Sequence, residues 1–413
     1  MAINDDDNLQ ELEGLADQLD DKSPSFDINQ LPKSFQTFLK DNAIDPQIYS
    51  IVRLPRYIRW NTHIPEPQLP TLAQLKQQLH TDDVWQVPGL TGFFGIGPTS
   101  TRLVDIPAYK DKKVFGIDLS SAVAVEALEI DKDDHLLDVC CAPGAKLCMM
   151  ANLLGHQGTG TATGVDIAAH RLATCRSLIR KYKIGQRIRL YEADATTFSL
   201  TAPLRLGAKT LSKKGDSPPA DDHSDSRNTD DQPPPAKKPK TEQAVQKPFW
   251  ASRLLRTSGN DPVRLYDKVL VDAECTHDGS ISHILKYEKW GWDAFESNFM
   301  DTHRLNTICE LQRNLMKQGW AMLRTGGIMV YSTCSLTIKQ NEENVAWFLT
   351  EHPEAHLEPV PLSSQLGIRL AEIKKVQTTG AIQDLMNQHC VRFDPLLSNT
   401  SGFFLAKFTK SAK

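Results

Sequence analysis

Apolar, strand-like segments alternate with helical ones from Leu136 to Ser332, and no other feature of the chain limits its fold so sharply. The strands read Leu136-Leu-Asp-Val-Cys140, Thr161-Ala-Thr-Gly-Val-Asp166, Arg187 to Tyr191, Lys268-Val-Leu-Val-Asp272 and Ile328-Met-Val-Tyr-Ser332. Helical periodicity fills 146–154, 168–182 and about 302–323. Parallel neighbours need a long crossover, usually a helix, so the alternation predicts an α/β fold with a doubly wound, mostly parallel sheet. In such a sheet, ligands bind beyond the carboxyl ends of the strands.

The residues that close each strand are therefore the candidates. The first strand runs into Asp138-Val-Cys-Cys-Ala-Pro-Gly-Ala-Lys146. Gly144 and Ala145 permit a tight turn and a close backbone approach, and the amides opening the next helix favour negative charge. Asp166 closes the second strand, where a carboxylate can accept both hydroxyl hydrogens of a ribose. Asp194 follows the third, placed to accept from the exocyclic amine of adenine, and Asp272 closes the fourth. One acid at a strand end is more often a cap or turn residue. Four of them, counting Asp138, with a glycine turn after the first strand, describe a nucleoside site, most simply one for S-adenosylmethionine. Cys275 and Cys334 lie just past the ends of the fourth and fifth strands. A single thiol there would more often be buried and inert. Two thiols and Asp272 at one rim point to catalysis. No GxGxxG follows the first strand, which argues against a nicotinamide dinucleotide.

The 413 residues leave room for more than this sheet. Residues 1–30 are acidic and lack a sustained apolar period, so they read as a disordered tail. In 31–115, Phe35, Phe38 and Leu39 have helical spacing, the stretch from Ile48 to Asn61 is extended and carries Arg53, Arg56 and Arg59, and Leu72, Leu75 and Leu79 share a helix face. This predicts a small α/β unit whose cations and rings suit RNA, although a buried strand with solvated arginines fits the composition as well. Residues 211–247 are rich in Pro, Asp, Ser and Lys and nearly devoid of large apolar side chains, so a disordered insertion is expected at about 207–250. Its Pro235-Ala-Lys-Lys-Pro-Lys240 is similar to a short nuclear localisation signal. The net charge of −4 is concentrated in Asp5 to Asp21 and Asp216 to Asp231, leaving the remainder more basic than the total implies. The acidic N-terminus is unlike a secretory or mitochondrial leader, and no apolar run is long enough to cross a bilayer. The eight cysteines contain no CxxC pair, so free thiols are expected, with no metal and no membrane partner.

These residues together resemble the RNA 5-methylcytosine methyltransferases of the Sun (RsmB-like) and nucleolar-protein family. Cys140-Cys-Ala-Pro-Gly-Ala-Lys146 resembles the family's cofactor loop. Leu311-Gln-Arg, Gly326-Gly, Tyr331-Ser-Thr-Cys-Ser-Leu336 and Asn341-Glu-Glu-Asn344 are similar to its catalytic strand and surroundings, and Ser401-Gly-Phe-Phe-Leu-Ala-Lys407 to its closing strand. Arg56-Tyr-Ile-Arg-Trp-Asn61 is similar to its RNA-contacting segment. The resemblance implies a Rossmann-like class I methyltransferase domain over 116–413, with a mixed, mostly parallel seven-stranded sheet, acting as a monomer on tRNA or rRNA; with the Lys-rich segment and the N-terminus, the expected place is the nucleus or nucleolus, or the cytoplasm. It implies S-adenosylmethionine held by Cys140, Cys141, Ala142, Pro143, Gly144, Ala145, Lys146, Asp166, Arg171, Asp194 and Asp272. It implies RNA contacts from Arg56, Arg59 and Lys146. Cys334 would add to carbon 6 of cytosine, Asp272 would bind the ring edge, and Cys275 would assist loss of the carbon 5 proton. The family has proline before the second cysteine; here it is Glu274, whose charge is expected to disfavour a thiolate at Cys275. The alternative is an RNA-binding scaffold of the same fold that has lost catalysis. A DNA cytosine methyltransferase would place its nucleophile in a Pro-Cys motif, which Glu274-Cys275 does not supply.

Overall fold

The computed structural model describes residues 26–51, 53–205, 247–256 and 264–412. The expected acidic tail up to residue 25 and most of the expected insertion, including Pro235 to Lys240, lie outside the described residues.

An antiparallel four-stranded sheet comes first in the chain. Its strands are β1 (Arg56–Trp60), β2 (Val84–Gln86), β3 (Phe93–Ile96) and β4 (Val114–Gly116), in spatial order β2-β3-β1-β4. The helix Leu72–Leu79 covers one face, burying Leu75 and Leu79 against Ile58, Phe94 and Ile96. It opens on Thr71, whose hydroxyl accepts from the Gln74 amide while the Gln74 side chain accepts from the Thr71 amide. The other face turns Tyr57, Phe93 and Phe115 into the core of the C-terminal domain. The helix Lys33–Asp41 does not join this sheet. Phe35 packs edge-on to Phe295 at 4.9 Å, and the Tyr49 hydroxyl donates to the Asp278 carbonyl at 2.6 Å. The segment around Phe35 thus belongs with the short helices Ile281–Leu285 and Trp292–Phe299, because those supply the aromatic partners its apolar side chains need.

The main sheet carries β5 (His135–Asp138), β6 (Thr161–Asp166) and β7 (Ile188–Glu192). After a small ribbon of β8 (Leu204–Arg205) with β10 (Leu255–Arg256), it continues through β9 (Trp250–Ala251), β11 (Tyr266–Asp272), β12 (Leu323–Thr333), β13 (Ala355–Glu358), β14 (Val391–Phe393) and β15 (Phe403–Lys410). The order β13-β15-β12-β11-β5-β6-β7-β9 is parallel from β12 to β7 and antiparallel where β15 enters. The expected fold class holds, with a difference in count. The sheet has nine strands, because the two-residue β9 lengthens the β7 edge and β14 pairs with the first half of β15 while β13 pairs with the second. Both additions are too short for a sequence period to reveal.

Alternation along the strands splits the core in two. Leu136, Leu270 and Val330 face the helices Ala145–Leu153 and Ala169–Lys181, whereas Leu137, Val269, Val271 and Tyr331 face Thr302–Met322 and Glu342–Glu351. Both faces are covered, as the apolar runs of a parallel sheet require. In β6, a Cβ on Gly164 would lie 2.8 Å from the Cys141 sulfur, so glycine there lets the turn after β5 rest on the sheet.

Candidate active site

The carboxyl ends of β5, β6, β7, β11 and β12 open on one cleft of about 1160 Å³. The turn after β5 meets it with Cys140, Ala142, Pro143 and Lys146. Cys141, Gly144 and Ala145 were expected to meet the cofactor too, but they do not line the cleft. The Cys141 amide donates to the Val165 carbonyl at 2.9 Å, Gly144 stands at φ +114° against Cys175, and Ala145 packs on the core, so these three shape the turn from behind. Asp138 also points inward, only 1% exposed, with the Cys140 amide 3.4 Å away. Burial, followed by the charge of Asp272, pushes its carboxyl up to about 8.

Asp166 sits in the cleft wall and accepts from the amides of Ala142 (3.3 Å) and Ala168 (3.0 Å). Arg171 stands 3.5 Å from it and donates to the Ala142 carbonyl at 2.9 Å, tying β6 to the turn after β5. Asp194 also lines the cleft and takes the Thr196 amide and hydroxyl on one oxygen (2.9 and 2.7 Å). Ile167, next to Asp166 in the chain, is 70% exposed and lines the same cleft, an apolar surface suited to a flat ring. Two carboxylates that accept, and an apolar platform in the same cleft, fit the adenosine of S-adenosylmethionine.

Sulfur and charge gather at the other end. Asp272 accepts from the Lys146 ammonium and the Ser332 hydroxyl, both at 2.7 Å. β11 and β12 are hydrogen-bonded neighbours, so residues just beyond them meet: the Cys275 and Cys334 sulfurs are 3.1 Å apart. Cys334 lines the cleft, while Cys275 is 1% exposed and lies beneath it. His277 completes the group, its Nδ1 3.1 Å from the Cys334 sulfur and 3.8 Å from that of Cys275. At Cys275 burial raises the thiol, but the hydrogen bond from Cys334 and the His277 charge outweigh it and the net shift is well downward. At Cys334 the hydrogen bond to Cys275, then burial and the neighbouring charge, hold the thiol well above its usual range. The hydrogen bond they share thus favours ionisation at Cys275 over Cys334. Burial lowers His277, yet the adjacent thiolate raises it more.

A buried polar network fixes these loops. Gln312 donates to the Glu274 carbonyl (2.8 Å) and to Gln340 (3.0 Å), and Asn344 donates to Gln312 and to Tyr331. Asn341 spans Thr333 and the Ser335 carbonyl on either side of Cys334. The family-like Leu311-Gln-Arg and Asn341-Glu-Glu-Asn344 groups are thus the frame of the loop that carries Cys334. Gly279 and Gly402 touch backbone to backbone: a Cβ on Gly279 would meet the Gly402 oxygen at 2.6 Å and the Cys334 oxygen at 2.7 Å.

Three readings of the sequence change here. Glu274 does not bear on Cys275 as expected, because Arg304 pairs with it at 3.1 Å and donates to the Cys275 carbonyl at 2.9 Å. Arg59 does not face RNA: it is 6% exposed, bonded to Asn152 and stacked 4.0 Å from the Phe115 ring. It joins the N-terminal sheet to the C-terminal domain. Arg56 is half-buried, donates to the Thr101 carbonyl and is not among the residues that line the cleft. The sequence reading assigned no role to His277, Ile167 or Trp290, although all three line the cleft, and His277 falls in Thr276-His-Asp-Gly-Ser280, where the family usually has Ser-Gly. The one available signal was His277, an ionisable residue two positions after a cysteine at a strand end.

The sequence pattern of the family described as 16S rRNA methyltransferase RsmB/F matches residues 125–205 and 251–409, more than half of the chain. The chain belongs to this family. It is similar to ribosomal RNA small subunit methyltransferase B of Yersinia enterocolitica, 24% identical over 65% of this chain and 47% of that protein. It is also similar to mouse tRNA (cytosine(72)-C(5))-methyltransferase NSUN6, 25% identical over 78% of this chain and 59% of that one. The chain thus spans about half the length of the relatives it matches. Among solved structures, NSun6 from Pyrococcus horikoshii with SFG superposes with a TM-score of 0.59 at 16% identity, covering 94% of this chain and 100% of that one. The class I methyltransferase fold is shared.

Proposed function

We propose that this chain transfers a methyl group from S-adenosylmethionine to carbon 5 of a cytosine in tRNA or rRNA, with Cys334 as nucleophile. The observation that carries this reading is the pair of sulfurs 3.1 Å apart beside the Asp272–Lys146 ion pair, in the cleft whose far end holds Asp166 and Asp194. Asp166, Asp194 and the turn from Cys140 to Lys146 would hold the adenosylmethionine, which supplies an electrophilic methyl group when bound. The Cys334 thiolate adds to carbon 6 of the ring. Asp272, held by Lys146 and Ser332, accepts from the amino edge of the cytosine and orients it. Cys275 takes up the carbon 5 proton, after which the bond from carbon 6 to Cys334 breaks. A base in a paired region must leave its stack to enter the cleft. The exposed Trp290 face is placed to stack on it or on a neighbour.

The scaffold alternative rested on Glu274, and the Arg304 cation 3.1 Å from that carboxylate supports the enzyme reading over it. The test is methyl transfer to RNA from cells lacking the gene. Cys334→Ala should transfer nothing, and Cys275→Ala should trap RNA covalently on Cys334. Absence of both methylation and adduct with every cytosine-containing RNA supplied would overturn the assignment.

A further inference from the structure

We infer that His277 is a catalytic base that converts Cys334 to its thiolate and relays protons between the two sulfurs and the cleft; this rests on the assignment of Cys334 as nucleophile. The geometry is direct. His277 Nδ1 faces Cys334 Sγ at 3.1 Å, Cys275 Sγ at 3.8 Å, and the two sulfurs are 3.1 Å apart, so the ring nitrogen addresses both thiols. The backbone at His277 is held at φ +56°, a left-handed conformation, and its amide points at the Cys275 sulfur at 3.4 Å. The ring is fixed between His283 (4.7 Å) and the edge of Phe299 (5.8 Å).

The surroundings decide which histidine can act. His283 is lowered to about 3 by burial, then by His277, Lys286 and Arg304, so it stays neutral at every working pH. Glu274, which favours a charged His277, is paired with Arg304, which opposes it. Lys146 and Asp272 flank Cys334 from the strand side with cancelling charges. Asp278 lies behind, its carboxylate taken by Thr276 and the Leu336 amide. The thiolate is the one anion left for His277 to pair with among these groups.

The protons balance as follows. At rest Cys275 is the thiolate, Cys334 the thiol and His277 protonated. His277 releases its proton to water in the cleft and its Nδ1 takes the proton of the Cys334 S–H bond; the freed electron pair on Cys334 then forms the bond to carbon 6. After methyl transfer the Cys275 thiolate removes the carbon 5 proton, the carbon–sulfur bond breaks with its electron pair returning to Cys334, and proton transfers among Cys275, Cys334 and His277 restore the resting state. Each turnover releases one proton to water, matching replacement of hydrogen by a methyl cation equivalent.

The test needs neither RNA nor adenosylmethionine. Alkylation of Cys334 by iodoacetamide is followed against pH by peptide mass spectrometry in a Cys275→Ser background. The midpoint should lie well below about 8.5, the value of a free thiol. Adding His277→Asn should raise it to that value or higher and slow alkylation near pH ~6.5 by about tenfold or more. Equal rates above pH ~9.5, where any accessible thiol is ionised, show that the variant is folded around Cys334. Coincident profiles overturn the proposal. Should the variant not fold, nitrogen NMR of the unsubstituted protein decides: His277 should be imidazolium at neutral pH, and a neutral ring overturns the proposal. A shifted alkylation profile in a protein that methylates no RNA would instead sink the proposed substrate while leaving the His277–Cys334 pair intact.

Discussion

Replacing Arg392 with methionine probes how firmly the loop after Cys334 is anchored. Arg392 on β14 donates to Glu342 through Nε (3.0 Å) and Nη2 (2.7 Å) and to the Leu336 carbonyl through Nη1 (3.0 Å). The two side chains are 3% and 0% exposed, so water cannot replace what is lost. Arg392→Met leaves the Glu342 carboxylate buried without its cation, which should cost roughly 3–5 kcal/mol. Adding Glu342→Leu removes the stranded charge, and the double variant should recover most of the loss, because a buried ion pair is worth little more than apolar residues of similar volume. Urea unfolding followed by tryptophan fluorescence reads both numbers as shifts in midpoint at unchanged slope. A single variant losing less than about 1 kcal/mol, or a double variant no more stable than the single, would refute the view that the stranded charge dominates.

Other positions offer independent checks. Asp166→Asn should weaken adenosylmethionine binding roughly 10- to 100-fold by calorimetry, since hydrogen bonds to a charged group contribute about 1.5–3 kcal/mol. Gly279→Ala should abolish most methylation, because its Cβ would collide with the backbone oxygens of Cys334 and Gly402; activity within a factor of about two would show that the loop yields freely. Asp138 titrates in the folded protein at about 8, raised by burial and then by Asp272, above its unfolded value near 3.9. The folded state thus binds the extra proton, and the stability it contributes is complete below about 4 and lost as pH rises through about 8. Asp138→Asn should flatten that decline in melting temperature, and an unchanged pH dependence would contradict the shift.

The frame of the site was legible because it follows from local periods. An apolar run of four to seven residues makes a strand, its last residue stands at the sheet edge, and successive edges of a parallel sheet form one rim. That logic placed Asp166, Asp194, Asp272 and Cys334 on the cleft, where they are found. It failed inside the turns, which have no period. Cys140 and Cys141 are adjacent, yet one lines the cleft and the other is buried against Gly164. Arg56 and Arg59 read as one basic segment, yet Arg59 is consumed between two layers by Asn152, 93 positions away.

The sequence by itself determined the sheet, the series of acids on its rim and the presence of two thiols at neighbouring strand ends, since each depends on hydrogen bonding and burial along a single stretch of chain. Only the tertiary structure decided the electrostatics. Arg304 reaches Glu274 across 30 residues and sets a cation against the charge expected to act on Cys275, and His277, given no role from the chain alone, comes within 3.1 Å of Cys334. Charge interactions depend on distance through space and on exclusion of water, and neither is set until the helices between β11 and β12 are folded onto the rim.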